Sequence, residues 1–251
     1  MHKYCMNTLL DISLRLPDLG PRYAETDLAH FPVEPWATWT NLIFVVVVLY
    51  WARRLRHGDR QHRLLQVALP LLALGWFGGT LYHATRSSVV WTLLDWCPIV
   101  ILVLMAAGWL WRRLLPNLTL TIGVTMLPLL IAGAMGRLLA NSGPAGISAS
   151  YAILATGVVV PAMGNCVRRP KVWPQLVIVL VCFASALIFR VSDAALARQG
   201  WPHGSHYLWH VFGGIATFFM FGFLHALREG DLAPADAAIA PGHPVPNVRD
   251  A

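Results

Sequence analysis

Residues 205–227 have the sequence Ser-His-Tyr-Leu-Trp-His-Val-Phe-Gly-Gly-Ile-Ala-Thr-Phe-Phe-Met-Phe-Gly-Phe-Leu-His-Ala-Leu. The stretch has no Asp, Glu, Lys or Arg, and it is as long as the roughly 20 apolar residues that a helix needs to cross a bilayer. It begins with two histidines four positions apart, His206 and His210, and side chains at this spacing lie on one face of a helix. Ionisable side chains are costly in lipid, so histidines in such a span indicate a functional site. We therefore predict a membrane helix with chemistry at one end.

The whole chain has the composition of a membrane protein. Of its 251 residues, 57% are hydrophobic and only 12% are charged, whereas a soluble domain carries about 25% charged residues. The net charge of +7 lies in short basic clusters between apolar runs, which is typical of cytoplasmic loops and not of a nucleic-acid-binding surface. The four cysteines are scattered without a CxxC pair, so we expect neither a disulfide framework nor a thiolate metal site.

Seven apolar segments predict an all-α fold, an integral membrane bundle of seven transmembrane helices. Together they form one domain, residues 35–228. A polar extramembrane segment, residues 1–34, precedes it, and an Ala/Pro-rich tail, residues 229–251, is expected to be disordered. The predicted spans are 36–52, 64–86, 90–111, 117–140, 146–166, 173–195 and 205–227.

Basic residues are concentrated in alternate loops, and this pattern predicts the orientation of the bundle. The loops after the first, third and fifth spans contain residues 53–63, Arg112-Arg113 and residues 168–171, whereas the loops between them are poor in Lys and Arg. Cytoplasmic loops carry the excess of Lys and Arg. We therefore expect the N-terminus outside, on the periplasmic or lumenal side, and the C-terminus in the cytosol.

Three histidines and one carboxylate are predicted to meet at one depth of the membrane. His83 ends the second span and Asp95 begins the third, and a short connection holds them at similar depth. An even number of crossings separates the starts of the third and seventh spans, so His206 and His210 lie in the same leaflet. An i, i+4 histidine pair with a third histidine from another helix can form a His₃ zinc site with an open position for water. Asp95 is then either a hydrogen-bond partner that orients a histidine or the base for the water.

Other polar residues of the spans have simpler interpretations. Arg190 and Asp193, at i and i+3, are expected to form a structural ion pair, with contact to a substrate headgroup as the alternative. His225 lies too far along its helix to join the site. Glycines of the second and seventh spans, among them Gly78 and Gly214, are expected to permit close helix packing. The remaining histidines fall in loops or tails and are predicted to be solvated: His2, His30, His57, His62, His203 and His243.

These motifs resemble those of the alkaline ceramidase family, part of a seven-span hydrolase superfamily that also includes the progestin/adipoQ receptors. That family has Glu-x-Trp-x-Thr-x-Ser-Asn at its first helix, Ser-x-x-x-His on the second, Leu-Asp-Glu-x-Pro on the third and His-x-x-x-His on the seventh. The resemblance covers nearly all of residues 34–227. The similar stretches here are Glu34-Pro-Trp36-Ala-Thr38-Trp-Thr40-Asn41, Gly78-Gly-Thr80-Leu-Tyr-His83, Leu94-Asp95-Trp-Cys-Pro98 and His206-x-x-x-His210.

The resemblance implies that His83, His206 and His210 hold Zn²⁺ and that Asp95 assists the water. It implies hydrolysis of the amide of ceramide, a membrane lipid, to a sphingoid base and a fatty acid. The family serine four residues before the second-helix histidine is replaced by glycine here. Thr80, one place later, is the candidate to stabilise an oxyanion in its stead.

Members of the family can also hold Ca²⁺ with acids just before the first helix. Glu34 matches one of these acids. Asp18, Glu25 and Asp27 do not fall at the familiar spacing, so calcium is a candidate cofactor without support from the sequence.

The sequence also bears on functions other than hydrolysis. A seven-span receptor or sensor with a structural zinc site is the main alternative, although its branch of the superfamily is expected to have a cytosolic N-terminus, opposite to the charge pattern. A retinal protein is excluded because it needs a lysine in the last helix, and the only lysines are Lys3 and Lys171. Broken helices related by a repeat, typical of transporters, are not found. The choice among ceramide, another N-acyl lipid and an ester stays open, as do the oligomeric state and the host membrane (bacterial inner membrane or eukaryotic endomembrane).

Overall fold

The computed structural model describes residues 17–57, 62–139 and 143–232, and none of these residues lies in a strand. Seven helical segments, with α1 and α2 counted as one, are long and apolar enough to cross a membrane. This confirms the predicted seven-helix membrane bundle. The helices are α1 (Pro35–Thr40), α2 (Leu42–His57), α3 (Arg63–Thr85), α4 (Val89–Leu114), α5 (Leu118–Leu138), α6 (Gly143–Arg168), α7 (Trp173–Arg198) and α8 (His206–Leu232).

The helix ends differ from the predicted spans mainly where polar residues extend a helix beyond its apolar part. The first span continues to His57 because the arginines after residue 52 stay in α2, where their long side chains can reach the interface. The last helix continues to Leu232, so the predicted tail begins later than residue 229. Residues 1–16 of the predicted N-terminal segment and residues 233–251 of the tail lie outside the described residues.

Close packing of two helix pairs brings the ends of the site helices together. Helix α3 packs along α4, and α8 packs along α7 and against α1 and α2. A side chain at Gly78 would overlap Leu94 of α4, and a Cβ atom at Gly214 would lie 2.5 Å from the Ile43 side chain of α2. The expectation that these glycines permit close helix packing is confirmed.

The two ends of the bundle have different interiors. Near the ends of α2 and α8 and the starts of α3 and α7, the core is apolar and contains Trp51, Leu65, Leu176 and Phe223. Around the opposite ends of α3 and α8, the buried side chains are polar or charged: Asp18, Glu34, Asn41, His83, Arg86, His206 and His210.

The predicted solvation of His62 is wrong. Its side chain is 2% exposed, Nδ1 accepts a hydrogen bond from the backbone N–H of Leu65, and Nε2 lies 3.1 Å from the carbonyl oxygen of Leu224. The side chain therefore caps α3 and joins it to α8. By contrast, His30 and His203 are exposed as predicted.

Residues 17–34 form no helix and fold over the polar end of the bundle. The backbone N–H groups of Val33 and Glu34 donate to the carbonyl oxygens of Ala84 and His83, at 2.9 and 3.1 Å, where α3 leaves its last carbonyls unpaired. The sequence predicted a polar extramembrane lead-in. The segment does lie outside the spans, but Asp18 and Glu34 are fully buried.

Candidate metal centre

The structure brings the three predicted histidines together in a buried cluster. His83 lies in the last turn of α3, and His206 and His210 lie in the first turns of α8. One ligand nitrogen from each ring lies within 4.8 Å of the others. The ring centroids are 5.4 Å apart for His83 and His206, 4.7 Å for His83 and His210, and 5.1 Å for the pair on α8.

Several nitrogens of this cluster have no hydrogen-bond partner among the described residues. They are Nδ1 and Nε2 of His206 and Nε2 of His210, all buried. A buried polar atom without a partner costs free energy, and native structures leave few of them. Imidazole nitrogens are preferred ligands of Zn²⁺ and related transition metals. The donor set therefore fits one metal ion.

Two neighbouring side chains fix which nitrogens face the cluster. Nδ1 of His83 lies 2.5 Å from Oε2 of Glu34, and Nδ1 of His210 lies 3.0 Å from Oδ1 of Asn41. Both partners are acceptors, so each Nδ1 carries the proton and Nε2 is left as the ligand atom. Metal-binding histidines are usually oriented in this way. The orienting role offered for Asp95 thus falls to Glu34 and Asn41.

A buried arginine connects the N-terminal segment to the histidines. Arg86, one residue after α3, pairs with Oδ2 of Asp18 through Nε at 2.5 Å, also pairs with Glu34, and donates to the carbonyl oxygen of Pro21. Burial by itself would raise the pKa of Glu34, but the hydrogen bond from His83 and the charge of Arg86 hold that pKa below its usual value. Glu34 is therefore charged when it orients His83.

The acids considered for calcium have other partners in the structure. Asp18 and Glu34 form ion pairs with Arg86. The Glu25 carboxylate accepts hydrogen bonds from the backbone N–H groups of Trp36 and Ala37 at the start of α1. Burial raises the pKa of Glu25 to about 7. Asp27 is exposed beside His30. Within residues 17–57, 62–139 and 143–232, the three histidines are the one cluster of metal-ligating side chains.

Asp95 lines a cavity beside the histidines, and its side chain has no hydrogen-bond partner among the described residues. Its carboxylate makes no hydrogen bond or ion pair with any described residue, and it lines the same cavity as all three rings. A Cβ atom at Gly79 would collide with Oδ1 of Asp95 and lie 2.8 Å from Nδ2 of Asn41. The Asp95 carboxylate thus occupies the space that a side chain at residue 79 would need.

Thr80 lies close to the site but is turned away from the cavity. Its hydroxyl donates to the carbonyl oxygen of Trp76 at 2.8 Å, and Nδ2 of Asn41 lies 3.4 Å from the same hydroxyl oxygen. It does not belong to the cavity lining. The role of Thr80 as an oxyanion donor stays a prediction without structural support.

The predicted ion pair between Arg190 and Asp193 is wrong. The Asp193 carboxylate instead accepts the backbone N–H groups of Ala24, Ser205 and His206 at 2.8, 2.7 and 2.9 Å. The first N–H groups of a helix have no partner within it, and a carboxylate is a favourable cap. Asp193 therefore fixes the start of α8. Arg190 lies among aromatic rings, with its guanidinium carbon 4.9 Å from the ring centre of Trp209.

The histidines lie at one end of a long apolar cavity of about 240 Å³. Its lining continues along α8 to Leu224 and along α3 to Leu64. At 1.5 Å per residue, the distance from His206 to Leu224 is about 27 Å. This is close to the thickness of the hydrocarbon core, about 30 Å, so the cavity has the dimensions and the polarity for a lipid tail.

Sequence reasoning missed the roles of Glu34, Asn41, Arg86 and Tyr23. Glu34 and Asn41 are part of the motif at the first helix; the sequence offered Glu34 only as a calcium ligand and gave Asn41 no role. Tyr23 stacks on His206, with ring centroids 3.4 Å apart, and no local pattern pointed to it. Arg86 lies in one of the loops that are poor in basic residues, and its partner Asp18 is 68 residues away, so no local pattern indicated this ion pair.

Fold and site together define a seven-helix membrane protein with a buried three-histidine cluster at the polar end of an apolar cavity. The sequence matches no protein-family model and no curated protein, so the resemblance to the alkaline ceramidases stays an expectation based on motifs.

Proposed function

We propose that this protein is a zinc-dependent intramembrane hydrolase that cleaves the amide bond of a lipid, with ceramide as the first candidate substrate. One observation carries the proposal. Three buried histidines share a cavity with the carboxylate of Asp95. Among the described residues, ring nitrogens of His206 and His210 have no hydrogen-bond partner, and the Asp95 carboxylate has none either. The order of motifs from residue 34 to residue 210 supports an alkaline ceramidase-like enzyme in particular.

The shape of the cavity favours a lipid substrate. Beyond the polar end, the lining is predominantly apolar, with Leu72, Val158 and Phe221 among its residues. A tail lying along α8 would bring the polar end of the lipid to the histidines. The bond to be cleaved would then lie beside Asp95.

The residues of the chain have distinct tasks in this proposal. His83, His206 and His210 would hold the ion, and Glu34 and Asn41 would keep two of these rings in the binding tautomer. A bound Zn²⁺ supplies a Lewis acid that polarises a carbonyl group and lowers the pKa of water.

Asp95 would move the proton during hydrolysis. Its carboxylate would take a proton from the attacking water, whose oxygen bonds to the carbonyl carbon. The same proton would then pass to the leaving nitrogen as the carbon–nitrogen bond breaks. The products are an amine and a carboxylic acid, which for ceramide are a sphingoid base and a fatty acid.

The side of the membrane follows from the charge pattern. The histidines lie at the end of α3 and the start of α8, on the side of residues 17–34. Basic loops at the opposite side support an active site that faces the periplasmic or lumenal leaflet.

The first experiment is the metal content of the detergent-purified full-length protein. We expect about one zinc ion per chain in the wild type and little in the His210→Ala variant. His225→Ala is the matched control, because His225 is also buried on α8 but lies outside the cluster. Its zinc content should equal that of the wild type. A wild type that holds no zinc after zinc is supplied would overturn the proposal.

Turnover separates the hydrolase from the receptor-like alternative. The zinc-loaded wild type should release fatty acid from ceramide or from another N-acyl lipid. Zinc binding without release from any of these lipids would favour a receptor or sensor with a structural zinc site.

A further inference from the structure

Arg190 is a buried cation that the proposed hydrolysis does not use. Its side chain is 6% exposed, and its Nε has no hydrogen-bond partner among the described residues. No carboxylate of the described chain lies within ion-pair distance of its guanidinium, because Asp193 has turned its oxygens to the backbone of Ala24, Ser205 and His206. A buried charge without a counter-charge is costly, so this position calls for an explanation.

Aromatic rings hold the guanidinium but do not neutralise it. Its carbon lies 4.9 Å from the ring centre of Trp209 and 5.3 Å from that of Tyr151, and Nη2 donates to the hydroxyl of Tyr23 at 3.0 Å. Cation–π contacts offset part of the desolvation cost. The net positive charge remains, and these contacts fix its position.

This charge is directed to the cavity of the histidines. Arg190 lines the cavity together with His206 and Asp95, and it is the one Lys or Arg among the described lining residues. The hydroxyl of Tyr23 accepts the hydrogen bond from Arg190, and the ring of Tyr23 stacks on His206 with an interplanar angle of 9°. The guanidinium is therefore one aromatic ring away from the candidate metal centre.

We propose that Arg190 binds the carboxylate of a long-chain fatty acid whose tail fills the apolar part of the cavity. A guanidinium forms charge-assisted hydrogen bonds with a carboxylate, and Nε is available as a donor. The tail would lie in the apolar part of the cavity that extends towards Leu224. That this fatty acid is the product of amide hydrolysis rests on the proposed function. The binding of its carboxylate by Arg190 does not depend on that function.

The test is equilibrium binding of palmitate and hexadecanol to the full-length, zinc-loaded protein in detergent. The two probes share a chain length and differ in charge. The wild type should bind palmitate at least about tenfold more tightly than hexadecanol, the effect of one hydrogen bond to a charged group. Equal affinities for the two probes would overturn the proposal without recourse to any variant.

Variants assign the preference to Arg190. Arg190→Gln should lose the preference for palmitate and keep the affinity for hexadecanol, which also reports that the cavity is intact. Arg190→Lys should retain part of the preference, and this variant serves if the glutamine variant does not fold. Arg198→Gln is the matched control, because Arg198 is exposed on the same helix, and it should behave as the wild type.

A carboxylate could also bind the metal ion, and His210→Ala separates the two cases. If this variant keeps the preference for palmitate, the preference belongs to Arg190. If it loses the preference while Arg190→Gln keeps it, the proposal is wrong. A protein that binds palmitate through Arg190 but hydrolyses no lipid amide would refute the proposed function alone.

The carboxylate has two possible sources, a product fatty acid or an acidic headgroup of the substrate. N-palmitoylglycine and ceramide distinguish them. If the product is bound, Arg190→Gln should relieve inhibition of ceramide hydrolysis by palmitate and leave the KM for ceramide unchanged. If an acidic substrate is bound, the same variant should raise the KM for N-palmitoylglycine by about tenfold.

Discussion

Two groups of buried histidines lie at opposite ends of α3 and α8, and only one of them resembles a metal site. At the polar end, both ring nitrogens of His206 and Nε2 of His210 have no hydrogen-bond partner in the part of the chain that the structure describes. At the apolar end, His62 and His225 stack with ring centroids 6.0 Å apart. There, His62 bonds to backbone at both nitrogens, and Nδ1 of His225 lies 3.4 Å from Glu229.

The comparison shows that burial of histidine in a span is not by itself evidence for a metal. Both groups are buried, and both join α3 to α8. The difference lies in the satisfaction of the ring nitrogens. At the apolar end the rings act as helix caps and hydrogen-bond partners, whereas at the polar end the nitrogens converge and are left free to act as ligands.

The largest expected effect is the loss of turnover when Asp95 is replaced. Asp95→Asn should lower lipid amide hydrolysis by about 10²–10⁴-fold, the usual contribution of a proton-transferring group. Zinc content should stay at the wild-type level, because Asp95 contacts none of the histidines by a hydrogen bond. Activity with the chosen lipid and elemental analysis of the same preparation measure both quantities.

Asp27→Asn is the control for this variant, because Asp27 is exposed on the N-terminal segment. It should be as active as the wild type. Loss of zinc from Asp95→Asn would mean that Asp95 helps to hold the metal, and the proton would then need another acceptor.

A smaller effect is expected from the side chain that orients His210. Asn41→Ala should weaken zinc affinity by about 10–100-fold, as is usual when a ligand loses its hydrogen-bond partner. Competition with a chelator of known affinity measures the change. Thr80→Val removes a neighbouring hydroxyl that faces away from the cavity, so zinc affinity and turnover should both be unchanged. A loss of turnover in Thr80→Val would restore the predicted oxyanion role of Thr80.

The smallest effect is expected at the apolar end. His62→Ala should destabilise the protein by about 1 kcal/mol, the usual cost of a lost helix cap, and should leave zinc content unchanged. Thermal unfolding in detergent measures the loss. His62→Asn keeps a capping side chain and should recover part of the stability. If His62→Ala lost zinc, the two histidine groups would be coupled, and the contrast between them would fail.

The sequence predicted the membrane fold and the meeting of the histidines because both depend on simple quantities. Span number follows from hydropathy and length. The common depth of His83 and His206 follows from the number of crossings between them. Neither conclusion requires knowledge of which face of a helix meets which neighbour.

What only the tertiary structure decided was the partner of each polar side chain. Arg190 and Asp193 are neighbours on one helix, and the sequence predicted a pair. Asp193 instead caps α8, because unpaired backbone N–H groups in a buried place are costly. The rotation of an apolar helix about its axis is not fixed by its hydropathy. For that reason, the contacts of Glu34, Asn41 and Arg86 with residues far along the chain appeared only once the helices were packed.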